Sequence, residues 1–182
     1  RTLAGGAGGD VYRFDADTAL GLWTLDESGG GIDTVDFSPT TTVGLSLNLA
    51  TATTQAVHAT NLSLVLGSST TLENAVGGFG ADTLTGNGLG NTLNGGAGDD
   101  SLNGGAGSDL LFGGLNNDTY VFTTATTAEA DQVTENTNEG TDTISFAALT
   151  TSVSLHLGSN AIQNVHTNRT LKLNSPNTFE KS

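Results

Sequence analysis

The 182-residue chain contains no cysteine, which excludes a disulfide framework, a thiolate metal site and a cysteine nucleophile. Basic residues are nearly as scarce: Lys+Arg number 5 against 19 Asp+Glu, a formal charge of -14, with no Lys or Arg between Arg13 and Arg169. Such a surface has no footprint for a phosphate backbone or an anionic bilayer, so nucleic acid is excluded as a partner and a cation is favoured. Aromatics make up 5%, so the core must come from Leu, Val, Ile and Ala. No apolar run approaches the roughly 18 residues of a membrane span, and no membrane insertion is expected. The opening Arg-Thr-Leu-Ala-Gly-Gly has neither initiator Met nor apolar leader and reads as an excised piece or a mature fragment.

Glycine is abundant, at 26 residues, and much of it is periodic. Counting by nines from residue 77 gives GGFGADTLT (77–85), GNGLGNTLN (86–94), GGAGDDSLN (95–103), GGAGSDLLF (104–112) and GGLNNDTYV (113–121). The eighth position holds Leu84, Leu93, Leu102, Leu111 and Tyr120; the sixth holds Asp82, Asn91, Asp100, Asp109 and Asp118. Positions one to six predict a tight turn, and positions seven to nine a short half-buried strand. Turn plus strand, repeated, winds a solenoid with two nonads per coil. Leu84, Leu102 and Tyr120 then point inward from one sheet and Leu93 and Leu111 from the other. One nonad cannot bury its Leu alone, so stability comes from stacking.

Residues one coil apart lie about 4.8 Å apart. Asp82, Asp100 and Asp118 therefore form one column, with Asn91 and Asp109 on the opposite edge. Carboxylates at that spacing repel by roughly 1 kcal/mol in water and by more near a protein surface, unless a cation lies between them. The donors are carboxylates and turn carbonyls, hard oxygens in irregular geometry, which select Ca²⁺ over zinc, copper or Mg²⁺. An Asp in a Gly-rich turn can instead cap its own backbone as an Asx-turn.

These nonapeptides resemble the repeats-in-toxin (RTX, haemolysin-type) calcium-binding family, with its GGxGxDxUx motif, across 77–121 and once more at GGAGGDVYR (5–13). The resemblance implies an all-β fold, a right-handed parallel β-roll or β-solenoid, with Ca²⁺ between same-edge turns. It further implies a first site from Gly78, Gly80 and Asp82 with Gly95, Ala97 and Asp100. A second would use Gly96, Gly98 and Asp100 with Gly113, Leu115 and Asp118. On the opposite edge, Asn87, Leu89 and Asn91 would face Gly104, Ala106 and Asp109. That third site is expected to be weaker or empty, because Asn91 is neutral and Leu89 replaces a turn glycine. Gly105, Gly107 and Asp109 look for a partner near residue 127, where Thr126-Thr127 offers no carboxylate, so that site reads as half-built.

A longer repeat overlies the short one. GGAGGDVYRF (5–14) matches GGLNNDTYVF (113–122) at an offset of 108, GIDTVDF (31–37) matches GTDTISF (140–146) at 109, and Leu45–Leu49 matches Val153–Leu157 at 108. Gln55-Ala56-Val57-His58 recurs as Gln163-Asn164-Val165-His166, and Thr71-Leu72-Glu73 as Thr178-Phe179-Glu180. The expected organisation is the end of a preceding RTX block (1–13), a Thr-rich β spacer (14–76), the β-roll block (77–121) and a second spacer (122–182). Segments 28–36 and 137–145 look like degenerate nonads with Asp33 and Asp142 at position six. Their spacing from Asp10 and Asp118 is not a multiple of nine, so they are expected out of phase, and a metal role for Asp10, Asp33 and Asp142 is left open. Ala128–Gln132 is the best helical candidate, and it is poor.

No G-x-S-x-G, H-E-x-x-H, P-loop or dinucleotide fingerprint is present, so no enzyme is expected. His58 and His166 are equivalent under the longer repeat, which favours a structural role; Trp23 reads as a packing residue. The sequence thus predicts a calcium-binding module of a secreted or cell-surface bacterial protein that folds when it meets Ca²⁺ outside the cell. Export through a type I secretion apparatus is implied by the resemblance, and neighbouring RTX units are expected in the parent chain. The alternatives are the C-terminal RTX portion of a secreted protease, lipase or epimerase, and a stiff extender of an RTX adhesin.

Overall fold

Short polar–apolar alternations separated by glycine turns can bury their apolar positions only by stacking, and strands are what the chain forms. The computed structural model describes residues 1–68, 71–136, 139–157, 159 and 161–174, and among these there is no helix. In chain order come β1 (Thr2–Ala4), β2 (Val11–Arg13), β3 (Gly21–Asp26), β4 (Thr34–Asp36), β5 (Ser46–Asn48), β6 (Gln55–His58), β7 (Leu62–Leu66) and β8 (Asn74–Val76). The nonapeptides supply β9 (Thr83–Thr85), β10 (Thr92–Ala97), β11 (Ser101–Asn103), β12 (Leu110–Leu115) and β13 (Thr119–Val121). Then follow β14 (Glu129–Thr134), β15 (Thr143–Ser145), β16 (Gln163–His166) and β17 (Arg169–Leu173). The weak helical candidate at 128–132 falls in β14, where Ala-Asp-Gln-Val alternates exposed and buried side chains.

Three sheets result. A long sheet has the order β16-β17-β14-β12-β10-β8-β4-β2, a second β15-β13-β11-β9-β5, and a third β1-β3-β7-β6. Among the described residues every pairing is parallel except the hairpins β6/β7 and β16/β17, so the chain is a parallel β-roll. Within the nonapeptides the register steps by two nonads, from Thr83 to Ser101 to Thr119 on one side and from Thr92 to Leu110 on the other. Leu84, Leu102 and Tyr120 project from the five-stranded sheet and Leu93 and Leu111 from the long one, all fully buried in a single core. The turn is shorter than the motif suggests. β10 and β12 run on through positions one to three, pairing Gly96 with Gly114 and Ala97 with Leu115.

Each buried Leu contributes about 1.5–3 kcal/mol relative to exposure. Leu102 is fully buried with a paired coil above and below it, which hold the walls of the cavity apart. Leu102→Ala is expected to cost about 2–5 kcal/mol, read as a shift of the urea midpoint in saturating Ca²⁺.

The longer repeat of the sequence is also a structural repeat. The hairpins β6/β7 and β16/β17 share one register and one bulge, at His58 and His166. Gln55 clamps the backbone of Asn48 and Thr51 as Gln163 clamps His156 and Ser159. Phe14 lies 6.0 Å from Phe37, and its repeat mate Phe122 lies 5.4 Å from Phe146. Trp23 packs edge-on against Phe14 and donates its indole N–H to the Leu20 carbonyl, under the Arg1 guanidinium. The match of Thr178-Phe179-Glu180 to Thr71-Leu72-Glu73 lies outside the described residues.

Candidate metal columns

Each turn ends on its position-six residue just before a strand begins, so stacking the strands stacks these side chains. The consequence is a ladder. The backbone N–H of Asp82 donates to Oδ1 of Asp100 (2.7 Å), that of Asp100 to Oδ1 of Asp118 (2.8 Å), and that of Asp118 to Oδ1 of Asp142 (3.0 Å). Leu45 opens the column by donating to Asp82 Oδ1 at 2.8 Å. On the other edge Asp10 donates to Asp33, Asp33 to Glu73, Asn91 to Asp109 and Asp109 to Asp131, at 2.8–3.1 Å.

Two expectations are corrected by this ladder. Asp33 and Asp142 stand in phase with Asp10 and Asp118, because the coils between them hold 23 and 24 residues. Strand pairing sets the phase, and the surplus residues are absorbed in longer turns. Likewise Asp109 is not left without a carboxylate partner: a coil of 22 residues passes Thr126-Thr127 and brings Asp131 beneath it. Glu73 enters the same edge through a coil of 40 residues.

The ladder occupies one oxygen of each carboxylate that accepts a backbone N–H. The other, Oδ2, has no hydrogen-bond partner and is buried at Asp10, Asp33, Asp100, Asp109 and Asp118. Asp82 and Asp131 have theirs taken: Asp82 Oδ2 accepts the Gly78 N–H at 2.7 Å, and Asp131 Oδ2 accepts from the Arg169 guanidinium. Around these oxygens the glycines are dictated by space. A Cβ on Gly98 (φ +115°) would lie 2.6 Å from the Gly80 carbonyl, and one on Gly107 (φ +124°) 2.1 Å from the Leu89 carbonyl oxygen. Asn116 (φ 84°) occupies the equivalent left-handed place in the last nonad, which short polar side chains tolerate.

The carbonyls of Gly78 and Asn87 accept the N–H of Ala97 and Ala106 at 3.0 Å, and that of Leu115 accepts the Gly98 N–H at 3.1 Å. Each carbonyl keeps one lone pair free. Gly96 stacks on Gly78 and Gly114 on Gly96, while Gly95 stacks on Gly113 and Gly104 lies against the Asp109 carboxylate. The column with Asn91 is built differently. Its amide donates to the Glu73 carbonyl (2.9 Å) and to Asn87 Oδ1 (3.2 Å), so hydrogen bonds take the place of charge there.

Two further carboxylates, Glu27 and Glu135, carry no sign in the nonapeptide pattern. Glu135 joins Asp118 and Asp142, and Glu27 joins Asp10 and Asp33, each trio offering oxygens within 4.8 Å of one another. Both Glu side chains are buried; Glu27 has two unpartnered oxygens and Glu135 one. The Tyr120 hydroxyl, which accepts the Gly113 N–H at 2.6 Å, donates to Glu135. Tyr12 and Glu27 hold the same places one long repeat earlier. That equivalence was the one signal in the sequence that could have found them.

Burial dominates the electrostatics. Desolvation pushes the carboxyl of Asp82 up to about 6, Asp109 and Asp118 to about 7 and Asp100 to about 8, with neighbouring carboxylates adding to the last three. Glu27 and Glu135 rise to about 7 and about 8 for the same first cause. A row of buried acids that resist ionisation, all but Asp82 with a free oxygen, is suited to a hard divalent cation.

One end of the second edge is closed by a cation of the protein's own. Arg169 is buried, ion-paired with Glu129 and Asp131, donates to the Thr123 carbonyl (3.1 Å) and lies 5.0 Å over the Phe122 ring.

The family described as Peptidase M10 serralysin C terminal matches residues 14–178, nearly the whole chain. No curated protein matches it.

Proposed function

The chain belongs to the serralysin C-terminal family, the RTX calcium-binding repeat region of serralysin-type secreted proteins, and we propose that it is a module whose folding is coupled to Ca²⁺ outside the cell. The observation that carries this reading is the ladder with its spare oxygens: one carboxylate oxygen fixed by backbone, the other buried without a partner. A buried acceptor left so costs about 1–3 kcal/mol, more when charged, and a cation relieves that cost.

The residues fit the ion. Gly78, Gly80 and Asp82 with Gly95, Ala97 and Asp100 would hold one Ca²⁺; Gly96, Gly98 and Asp100 with Gly113, Leu115 and Asp118 would hold a second. Asn87, Leu89 and Asn91 with Gly104, Ala106 and Asp109 make a weaker site, since the Asn91 amide satisfies itself. The trios Asp118–Glu135–Asp142 and Asp10–Glu27–Asp33 extend the columns at their ends. Where Asp109 meets Asp131, the Arg169 guanidinium supplies the positive charge. With a Kd of order 10⁻⁴ M and roughly millimolar Ca²⁺, each site adds about 1.4 kcal/mol, and several in series make folding switch-like. Membership of a family associated with type I secretion supports passage unfolded through that apparatus, with folding on arrival.

The matched region is the non-catalytic C-terminal part of a protease family, which favours a parent protein whose catalytic domain lies elsewhere. The long structural repeat favours a second reading, a stiff extender in a longer surface protein.

Far-UV circular dichroism during a Ca²⁺ titration, with Mg²⁺ as control, tests the proposal. The β signal is expected to appear with Ca²⁺ and not Mg²⁺. Asp100→Ala, which removes a ligand from both sites of its column, is expected to shift the midpoint upward by tenfold or more, a change of about 1.4 kcal/mol. Equal β signal in chelator and in Ca²⁺ at pH 8 would show that the columns are only scaffolding.

A further inference from the structure

The two repeat units are locally alike but differently covered. In the first, β4 and β5 each gain an outer partner from the chain that follows: β4 pairs with β8, at the end of the spacer, and β5 with β9, the first strand of the nonapeptide block. Beneath those pairings Val35, Phe37, Leu45, Leu47 and Leu49 are at most 3% exposed. In the second unit the mates of these residues, Ile144, Phe146, Val153, Leu155 and Leu157, are only partly buried. β15, the mate of β4, is the last strand of its sheet among the described residues. Ser154–His156, the mate of β5, is held by the same glutamine clamp, with His156 N–H donating to Gln163 at 2.7 Å, yet it has no ladder partner among the described residues.

The hairpins sit at the same point in both units. β6 ends the four-stranded sheet with an antiparallel strand, while β5 begins the five-stranded one. β16 ends the long sheet in the same way. Each spacer therefore closes one sheet, and the first also places the first strand of another. The five-stranded sheet stands, in the second unit, where the long sheet stands in the first.

We infer that the face formed by β15 and Val153–Leu157 is a docking surface for the nonapeptide block of a further long-repeat unit in covalent tandem. The segment leading into that block would lay a β8-like strand on β15, and the block itself a β9-like strand on Ser154–His156, so that successive units share sheets and interlock. The occupant is fixed by continuity with β4/β8 and β5/β9, the same joint already made once within this chain. This second joint rests on the repeat-array reading and is independent of the calcium one.

The test appends residues 76–121 after Ser182, which keeps the Thr71-Leu72-Glu73 and Thr178-Phe179-Glu180 repeat in phase, and follows amide hydrogen exchange in saturating Ca²⁺. In the 182-residue chain, Val153–Leu157 is expected to exchange roughly 100-fold faster than Leu45–Leu49, and in the extended chain the two segments should become equal. Leu155→Asn should then lower the urea midpoint of the extended chain as Leu47→Asn does, while barely moving that of the 182-residue chain. The inference is overturned if Val153–Leu157 stays fast while the appended copy of Leu84–Leu102 is protected, or if the appended block fails to fold on the face meant to template it. Protection already present in the 182-residue chain overturns it too; a dependence on protein concentration would then assign the face to a second copy, end to end. Protection of the chain's own Leu84 and Leu102 with and without Ca²⁺ reports the calcium reading separately.

Discussion

In chelator, the β-roll is expected to be most stable near pH 4–5 and to lose its β signal as the pH rises to 8; in millimolar Ca²⁺ it should hold across that range. The sign follows from the carboxyls. Asp82, Asp100, Asp109, Asp118, Glu27 and Glu135 have folded-state values of about 6 to 8, raised first by burial above the ordinary 3.8 of Asp and 4.5 of Glu. The folded chain therefore retains protons that the unfolded chain releases. The stability tied to them is fully present below pH 4 and is lost as the pH climbs through the folded values. Each such proton tilts the balance by about 1.4 kcal/mol per pH unit. A few together exceed the margin of a small domain, about 5–15 kcal/mol. Calcium replaces the protons, so its apparent affinity must weaken at low pH, by up to tenfold per pH unit for each proton displaced. Thermal melts by circular dichroism in EGTA and in Ca²⁺ at pH 5 and 8 decide the matter. Equal chelator melts at the two pH values would mean that water reaches the columns and that burial is not what holds them.

Periodicity made most of this site legible. Position eight located the core from Leu84 to Tyr120, and position six located Asp82, Asp100, Asp118 and Asp109, because side chains in a parallel stack repeat wherever the backbone does. Counting failed where coils change length. Asp33, Asp131 and Asp142 lie 23, 22 and 24 residues from their partners. Sheet hydrogen bonds align strands and are indifferent to how many residues the turn between them holds. Glu27 and Glu135 were missed for a related reason: each lies at the head of a long turn with no nonapeptide around it, and only the tertiary stack brings it to Asp10 and Asp33 or to Asp118 and Asp142. In the sequence Arg169 is only the end of a stretch without basic residues. Its meaning depends on β17 pairing with β14, which sets it opposite Glu129.

That pairing supports the second large effect. Arg169→Met is expected to destabilise the chain by about 3–5 kcal/mol, because it strands two buried carboxylates where an ion pair had been. Glu129 and Asp131 are both raised by burial and held down by the guanidinium, and Asp131 in turn accepts the Asp109 N–H at the end of the column. Removing the cation therefore loads the whole edge with unbalanced charge. Neutralising the partners together with it, in Arg169→Met/Glu129→Gln/Asp131→Asn, should recover most of the loss, since the cost is that of orphaned charge and not of lost contact. The single variant should also become more dependent on Ca²⁺, for its Asp109–Asp131 gap then lacks the positive charge that Arg169 provides. Urea midpoints of the three chains, each with and without Ca²⁺, separate these effects. A loss below about 1 kcal/mol in the single variant would place the guanidinium among solvated surface pairs, and the column would then need no cation at that end.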